Sequence, residues 1–230
     1  MPEQVGPIDV PVYVAARPSP CIGTVIVLHE AFGLNQDIMR IADRFADAGF
    51  VTLAPHLHYR VAPQAVPYDD VPLAVDLVDR AEPSVVVSDI SEVHRWASTA
   101  LAAPSPVFIV GYCFGGAASY LAAGALDFVT AAVAFYPVGV QRYALNGAPL
   151  PRCPLLVLFG DHDEFVDSPA LAWLADHLAD APDAELKLYP GAGHAFANDG
   201  RPELYARASA EAAWADAMTF LGRHSASAGA

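Results

Sequence analysis

The sequence predicts an α/β fold with a mostly parallel sheet and helices on both faces. Six short apolar runs recur along the chain, each bounded by turn residues. Four of them are almost unbroken in apolar residues, the pattern of strands buried on both sides. Stretches of helical periodicity separate them, and alternation of strand and helix is the mark of a parallel sheet.

The elements follow in order. "DVPVYVA" (9–15) alternates better than the rest and reads as an antiparallel edge strand. "GTVIVLH" (23–29), "FVTLAP" (50–55), "PVFIVG" (106–111), "TAAVAFYP" (130–137), "PLLVLFG" (154–160) and "AELKLYP" (184–190) read as the remaining strands. "QDIMRIADRFADAG" (36–49) puts Ile38, Ile41, Ala42 and Phe45 on one face, with Gly49 where a C-terminal cap belongs. "DISEVHRWASTALAA" (89–103) opens on an Asp or Ser cap and stops before Pro104. "SPALAWLADHLAD" (168–180) takes Ser168 as its cap and Pro169 as its first helical residue. "PELYARASAEAAWADAMTFLGRH" (202–224) is the final helix, with Trp214, Met218 and Leu221 on one face. The Pro-rich "APQAVPYDDVP" (62–72) reads as an irregular surface segment. Residues 1–224 are expected to form one domain, and "SASAGA" (225–230) a disordered tail.

A chain of 230 residues, 54% hydrophobic and 17% charged, is long enough for one large core. Lys plus Arg is 12 and Asp plus Glu is 26, a formal net charge of −14. Such a surface repels phosphate backbones and anionic lipid, so neither nucleic acid nor a membrane is an expected partner. The three cysteines, Cys21, Cys113 and Cys153, make no Cys-x-x-Cys pair. Neither a disulfide framework nor a structural zinc site has support, and no cofactor is expected. "MPEQVGPIDV" does not read as a signal peptide, and no run approaches the ~20 apolar residues that span a bilayer. The expectation is a soluble cytoplasmic protein.

Residues 111–116 read "GYCFGG", between the apolar run "PVFIV" and the small-residue run "AASYLAAG". Gly-x-nucleophile-x-Gly between a buried strand and a helix is the nucleophile elbow. Glycine is needed on both sides because the turn is tight, and the central side chain then stands exposed at the carboxyl edge of the sheet. Here that side chain is the Cys113 thiol. Phe114 offers its backbone N–H at a helix N-terminus, a place suited to a developing oxyanion. In this arrangement the partners follow in the order nucleophile, acid, histidine. "GDHDEFVD" (160–167) follows one strand and "GAGHAFAN" (191–198) the next. His194 is the expected proton acceptor, and Asp163 the group that fixes its tautomer. Asp161 and His162 are rivals for those roles, and the G-x-x-D spacing favours Asp163. "LHEAFGLN" (28–35) follows the first buried strand, which makes the Ala31 N–H the second oxyanion donor. Glu30 in that loop reads either as a solvated or capping acid, or as a gate on the ionisation of Cys113.

Together "VIVLHEAFGLN", "ADRFADAGFVTLAPHL", "GYCFGG", "GDHDEFV" and "GAGHAF" resemble the dienelactone hydrolase family, in order, from about residue 20 to 220. The resemblance implies an α/β-hydrolase fold and a Cys113–His194–Asp163 triad. It also implies that Glu30 holds the resting thiol and helps to activate it when substrate binds. Dienelactone-cleaving members bind the substrate carboxylate with two arginines. Arg60, in "APHLHYR", matches the first. The second lies four residues after the catalytic histidine, where this chain has Asn198, and Arg201 stands three residues further on. Position 56 is His where the family usually has Asp.

The function expected is hydrolysis of esters or lactones through a thioester on Cys113, with esterase or thioesterase action on small neutral substrates as the alternative. A non-catalytic binding protein on the same fold is the third reading. Arg60 also reads as a surface arginine paired with an acid, and Tyr59 as a pocket wall or a packing residue. His56 and His58 sit two apart and read as exposed loop histidines rather than metal ligands. His29 reads as the end of its strand. Trp96, Trp173 and Trp214 read as core or helix-packing residues.

Overall fold

A computed structural model describes residues 9–15, 20–181 and 183–225. Seven strands form one sheet: β1 (Val12–Val14), β2 (Thr24–Leu28), β3 (Val51–Pro55), β4 (Val107–Tyr112), β5 (Ala131–Phe135), β6 (Leu155–Gly160) and β7 (Ala184–Tyr189). Their order is β1-β3-β2-β4-β5-β6-β7. All pairings are parallel except β1 with β3, so the better-alternating run is the antiparallel edge strand. β2 to β6 are buried along their whole length, as their unbroken apolar sequence requires.

The helices are α1 (Gln36–Asp47), α2 (Val71–Arg80), α3 (Pro83–Ala100), α4 (Phe114–Ala125), α5 (Val140–Leu145), α6 (Ser168–Leu178) and α7 (Arg207–Ser225). α4 packs on β2, β4 and β5, and α3 packs on α4. α1 covers β2 and β3, α7 covers β5 and β6, and the two meet where Phe45 packs on Trp214 at 4.6 Å. The chain is an α/β hydrolase in architecture. The strand order reverses between β2 and β4, and in open α/β sheets such a reversal opens a crevice at the carboxyl ends of the strands.

Several boundaries differ from the sequence expectation. Residues 62–72 are not all irregular, because Asp70 caps α2 by accepting the Leu73 N–H at 3.2 Å, and a proline sits in the first turn. α3 begins at Pro83, ahead of the expected 89. The cap of α6 is Asp167, which accepts the Ala170 N–H, and Ser168 is already helical. α7 starts at Arg207 and runs through Ser225. The rest of the expected tail, 226–230, lies outside the described residues. Among the described residues no helix is long and apolar enough to cross a membrane.

Candidate active site

Cys113 sits between β4 and α4 with φ 53° and ψ −111°. A non-glycine residue there carries strain on the order of 1–3 kcal/mol, which the surrounding packing must impose. The glycines explain how the turn closes. A Cβ on Gly111 would stand 1.9 Å from the Gly115 carbonyl oxygen, and one on Gly115 would stand 2.2 Å from the Leu28 carbonyl oxygen. The elbow is therefore pressed against the end of β2. Two hydrogen bonds pin it: Gly115 N–H to His29 O just beyond β2 at 3.0 Å, and Cys113 N–H to Phe135 O at the end of β5 at 3.0 Å.

The thiol meets the His194 ring, whose Nδ1 lies 2.9 Å from Asp163 Oδ2. Asp163 and His194 are both buried, Asp163 just past β6 and His194 just past β7. Asp163 Oδ1 also accepts the Phe165 N–H at 3.0 Å, which fixes the carboxylate. Burial alone would lower the pKa of His194, but Asp163 and Cys113 outweigh it and hold the imidazole well above its ordinary value. Of the two rivals, Asp161 accepts the Gly191 N–H at 2.6 Å, and His162 is solvent-exposed 4.0 Å from Asp161. The His194 ring is flanked edge-on by Tyr136 and Phe165.

Cys113, His194, Glu30, Ala31 and Phe114 open onto one cavity of about 400 Å³. Its wall is mostly apolar: Phe32, Val138, Phe165, Leu204 and one side of α2 through Val71, Ala74, Val75 and Val78. Among the described residues, neither the Ala31 nor the Phe114 backbone N–H donates to a protein acceptor. Both are free to face a substrate oxygen.

Glu30 is buried, and neither of its oxygens is bare. Tyr136 OH donates to Oε1 at 3.1 Å and Asn198 Nδ2 donates to Oε2 at 2.8 Å. Burial raises its pKa, opposed by His194, Asn198, Tyr136 and Arg201. Asn198 thus binds Glu30 and does not line the cavity.

Arg60 is not brought to the site. Its guanidinium makes a two-pronged pair with the buried Asp89, at 2.6 and 2.8 Å, and its carbon lies 4.4 Å over the Tyr59 ring. Neither Arg60 nor Tyr59 lines the cavity. Two arginines not chosen from the sequence do: Arg142, which pairs with Asp79 at 3.0 Å, and Arg201, which lies over the Phe32 and Tyr68 rings. The position of Arg201, close after His194, was the signal for it.

His56 and His58 are not exposed loop residues. Both are buried and pack edge-on against His29, which is itself fully buried just beyond β2. Burial lowers the pKa of all three, that of His58 to about 4. Among the described residues no group of three or more His, Cys, Asp or Glu side chains could hold a metal ion.

The sequence pattern of the Dienelactone hydrolase family matches residues 10–225. The chain belongs to the dienelactone hydrolase family. The family match spans every described strand, from β1 to β7. The carboxymethylenebutenolidase of Pseudomonas putida is 30% identical over 200 residues, 85% of this chain and 83% of that protein. A Salmonella typhimurium protein provisionally classed as a carboxymethylenebutenolidase is 34% identical over 220 residues, 90% of this chain and 80% of that protein. A crystal structure from Klebsiella pneumoniae, provisionally classed as a dienelactone hydrolase, superposes with a TM-score of 0.79 at 30% identity, covering 91% of each chain. Like the family to which it belongs, the chain is a hydrolase.

Proposed function

We propose that this dienelactone hydrolase family member cleaves esters or lactones with Cys113 as nucleophile, through a thioester. The observation that carries the reading is the line Cys113–His194–Asp163 opening onto the cavity from a strained elbow. Cys113 Sγ attacks the substrate carbonyl carbon while His194 holds the thiol proton. The Ala31 and Phe114 N–H groups stabilise the oxyanion. The intermediate collapses, the C–O bond breaks, and the leaving alkoxide takes the proton from His194. Water then attacks the thioester, gives a proton to His194, and the thiol leaves with that proton. In a lactone the leaving hydroxyl stays on the acyl group. Glu30 is the buried acid on the cavity lining that Cys113 shares, and its ionisation sets the charge there.

The acyl substrate has an apolar body and an anionic group that reaches Arg201. Support comes from the apolar wall and from the place of Arg201 on the cavity lining. The alternative is a small neutral ester or thioester. It is favoured by Arg60 pairing with Asp89 outside the cavity and by the neutral Asn198.

Turnover of a carboxylate-bearing dienelactone and of p-nitrophenyl acetate, with Cys113→Ala as control, tests the reading. Faster turnover of the dienelactone supports the anionic substrate, and turnover of the acetate alone supports the neutral one. If wild type and Cys113→Ala cleave esters equally, the cysteine mechanism is wrong.

A further inference from the structure

The Ala31 N–H can serve as an oxyanion donor only if the Glu30–Ala31 peptide is turned the right way. Two contacts of one side chain decide this. His29 Nε2 accepts the Leu57 N–H at 2.9 Å, so that nitrogen carries no proton. The ring proton of the neutral imidazole therefore sits on Nδ1. Nδ1 lies 2.6 Å from the Glu30 carbonyl oxygen and donates to it. The Gly33 N–H donates to the same oxygen at 3.2 Å. The Glu30–Ala31 bond is trans, since Ser105-Pro106 is the one cis bond among the described residues. In a trans peptide the N–H points opposite to the C=O. With the Glu30 carbonyl tied back to His29, the Ala31 N–H is turned away from His29. Ala31 and Cys113 line the same cavity.

The same residue also holds the other donor. The His29 backbone carbonyl accepts the Gly115 N–H, one residue beyond Phe114. The His29 ring lies 5.8 Å from the Phe114 ring, with His58 4.8 Å from both. His29 thus stands behind both halves of the hole. Its own carbonyl fixes the elbow, and its imidazole fixes the loop after β2.

We infer that His29 is a positioning residue, which sets the oxyanion hole by holding the Glu30 carbonyl with one ring nitrogen while the other is anchored on the Leu57 N–H. The inference rests on the ester-hydrolase reading above.

A pair of variants of nearly equal shape tests it. His29→Gln keeps one donor and one acceptor, whereas His29→Met keeps neither. Hydrolysis of p-nitrophenyl acetate is read alongside alkylation of Cys113 by iodoacetamide, located by peptide mapping. In alkylation the thiolate displaces iodide and no oxyanion forms, so the hole has no part in it. His29→Met is expected to lose about 10²–10³-fold in kcat with little change in KM. Its Cys113 should still alkylate at the wild-type rate, and His29→Gln should recover most of the kcat. Equal loss of both reactions in His29→Met, or an unchanged kcat, overturns the inference. If His29→Met does not fold, the wild-type protein decides: histidine ¹⁵N NMR should show His29 neutral with its proton on Nδ1, and a proton on Nε2 overturns the inference. A wild-type protein whose Cys113 alkylates but which cleaves no ester sinks the hydrolase reading and this inference together. An active wild type with an unaffected His29→Met sinks only the inference.

Discussion

Asn198 donates its amide Nδ2–H to Glu30 at 2.8 Å, and the same nitrogen reaches Tyr68 OH at 3.0 Å. Tyr68 in turn hydrogen-bonds to Asp37, and Asp37 pairs with Arg40 at the surface. Where the family resemblance implies a second arginine, a neutral amide thus divides its donors between Glu30 and Tyr68. Burial raises the Glu30 pKa and the Asn198 hydrogen bond opposes that rise. Asn198→Ala is therefore expected to push it further up. In the pH profile of kcat/KM, the limb due to Glu30 should move to higher pH in Asn198→Ala and vanish in Glu30→Gln. The Asn198→Ala variant should also lose about 1–3 kcal/mol of stability, the cost of a buried acceptor left short of a donor.

Arg60 and Arg201 separate cleanly by experiment. Asp89 is 2% exposed while the Arg60 side chain is 47% exposed, so the pair stands at the edge of the core. Arg60→Ala strands a buried carboxylate. With solvent reaching one partner, the expected loss is about 2 kcal/mol, read as a lower Tm. Its KM for a carboxylate-bearing ester should not change. Arg201→Ala should do the reverse: KM for that ester rises about 10-fold or more, a loss of ~1.4 kcal/mol in binding, while turnover of p-nitrophenyl acetate stays within about twofold. If Arg201→Ala leaves both substrates unchanged, the anionic-substrate reading falls.

The strands were legible because burial on both faces demands unbroken apolar sequence, as in "TVIVL" of β2 and "LLVLFG" of β6. The elbow was legible because only glycine satisfies the contacts at 111 and 115. α2 was not, because Pro72 and two aspartates read as loop while the helix hides only Ala74 and Leu77. Val71, Ala74, Val75 and Val78 do recur at i, i+3, i+4 and i+7, but that stripe faces the cavity rather than the core and begins inside the Pro-rich stretch. The start of α3 was missed because "SVVV" is β-branched, although Pro83 in its first turn was the available sign. The burial of His56 and His58 depends on His29 and Phe114, distant in sequence, and local pattern carries no trace of it. The direction of the Arg60 side chain is hidden for the same reason, since Asp89 lies 29 residues away.

The elbow glycines give a prediction about packing. The Cβ of Gly111→Ala would lie 1.9 Å from a backbone oxygen of α4 and 2.5 Å from Ser119 Oγ. Backbone cannot step aside as a side-chain tip can. The turn must open, at a cost of about 1–3 kcal/mol or more, and Cys113 must shift relative to His194. Thermal unfolding and p-nitrophenyl acetate turnover together should show a lowered Tm and activity down by about 10² or more, because a 1 Å misplacement alone costs that much. A variant of wild-type stability and activity would mean that the elbow has slack.

The buried histidines give the protein two opposed pH dependences that meet near the ordinary histidine pKa of 6.5. His29, His56 and His58 are depressed by burial, His58 to about 4. Below pH 6.5 the unfolded chain binds more protons than the folded one, so these three rings cost stability as pH falls from about 6.5 towards 4. His194 has the opposite sign. Its folded pKa is raised to about 10, held there by Asp163 and Cys113 against burial. Its contribution is complete below pH 6.5 and is lost as pH rises from there towards 10. Tm measured from pH 4 to pH 10 should therefore fall on both sides. His58→Phe should make the acid side shallower, with His29 and His56 still contributing, and leave the alkaline side alone, whereas His194→Gln should reduce the alkaline slope and leave the acid side alone. If His194→Gln keeps the full alkaline slope, the charge on His194 does not stabilise the fold, and the Asp163 contact at 2.9 Å orients the ring without holding its proton.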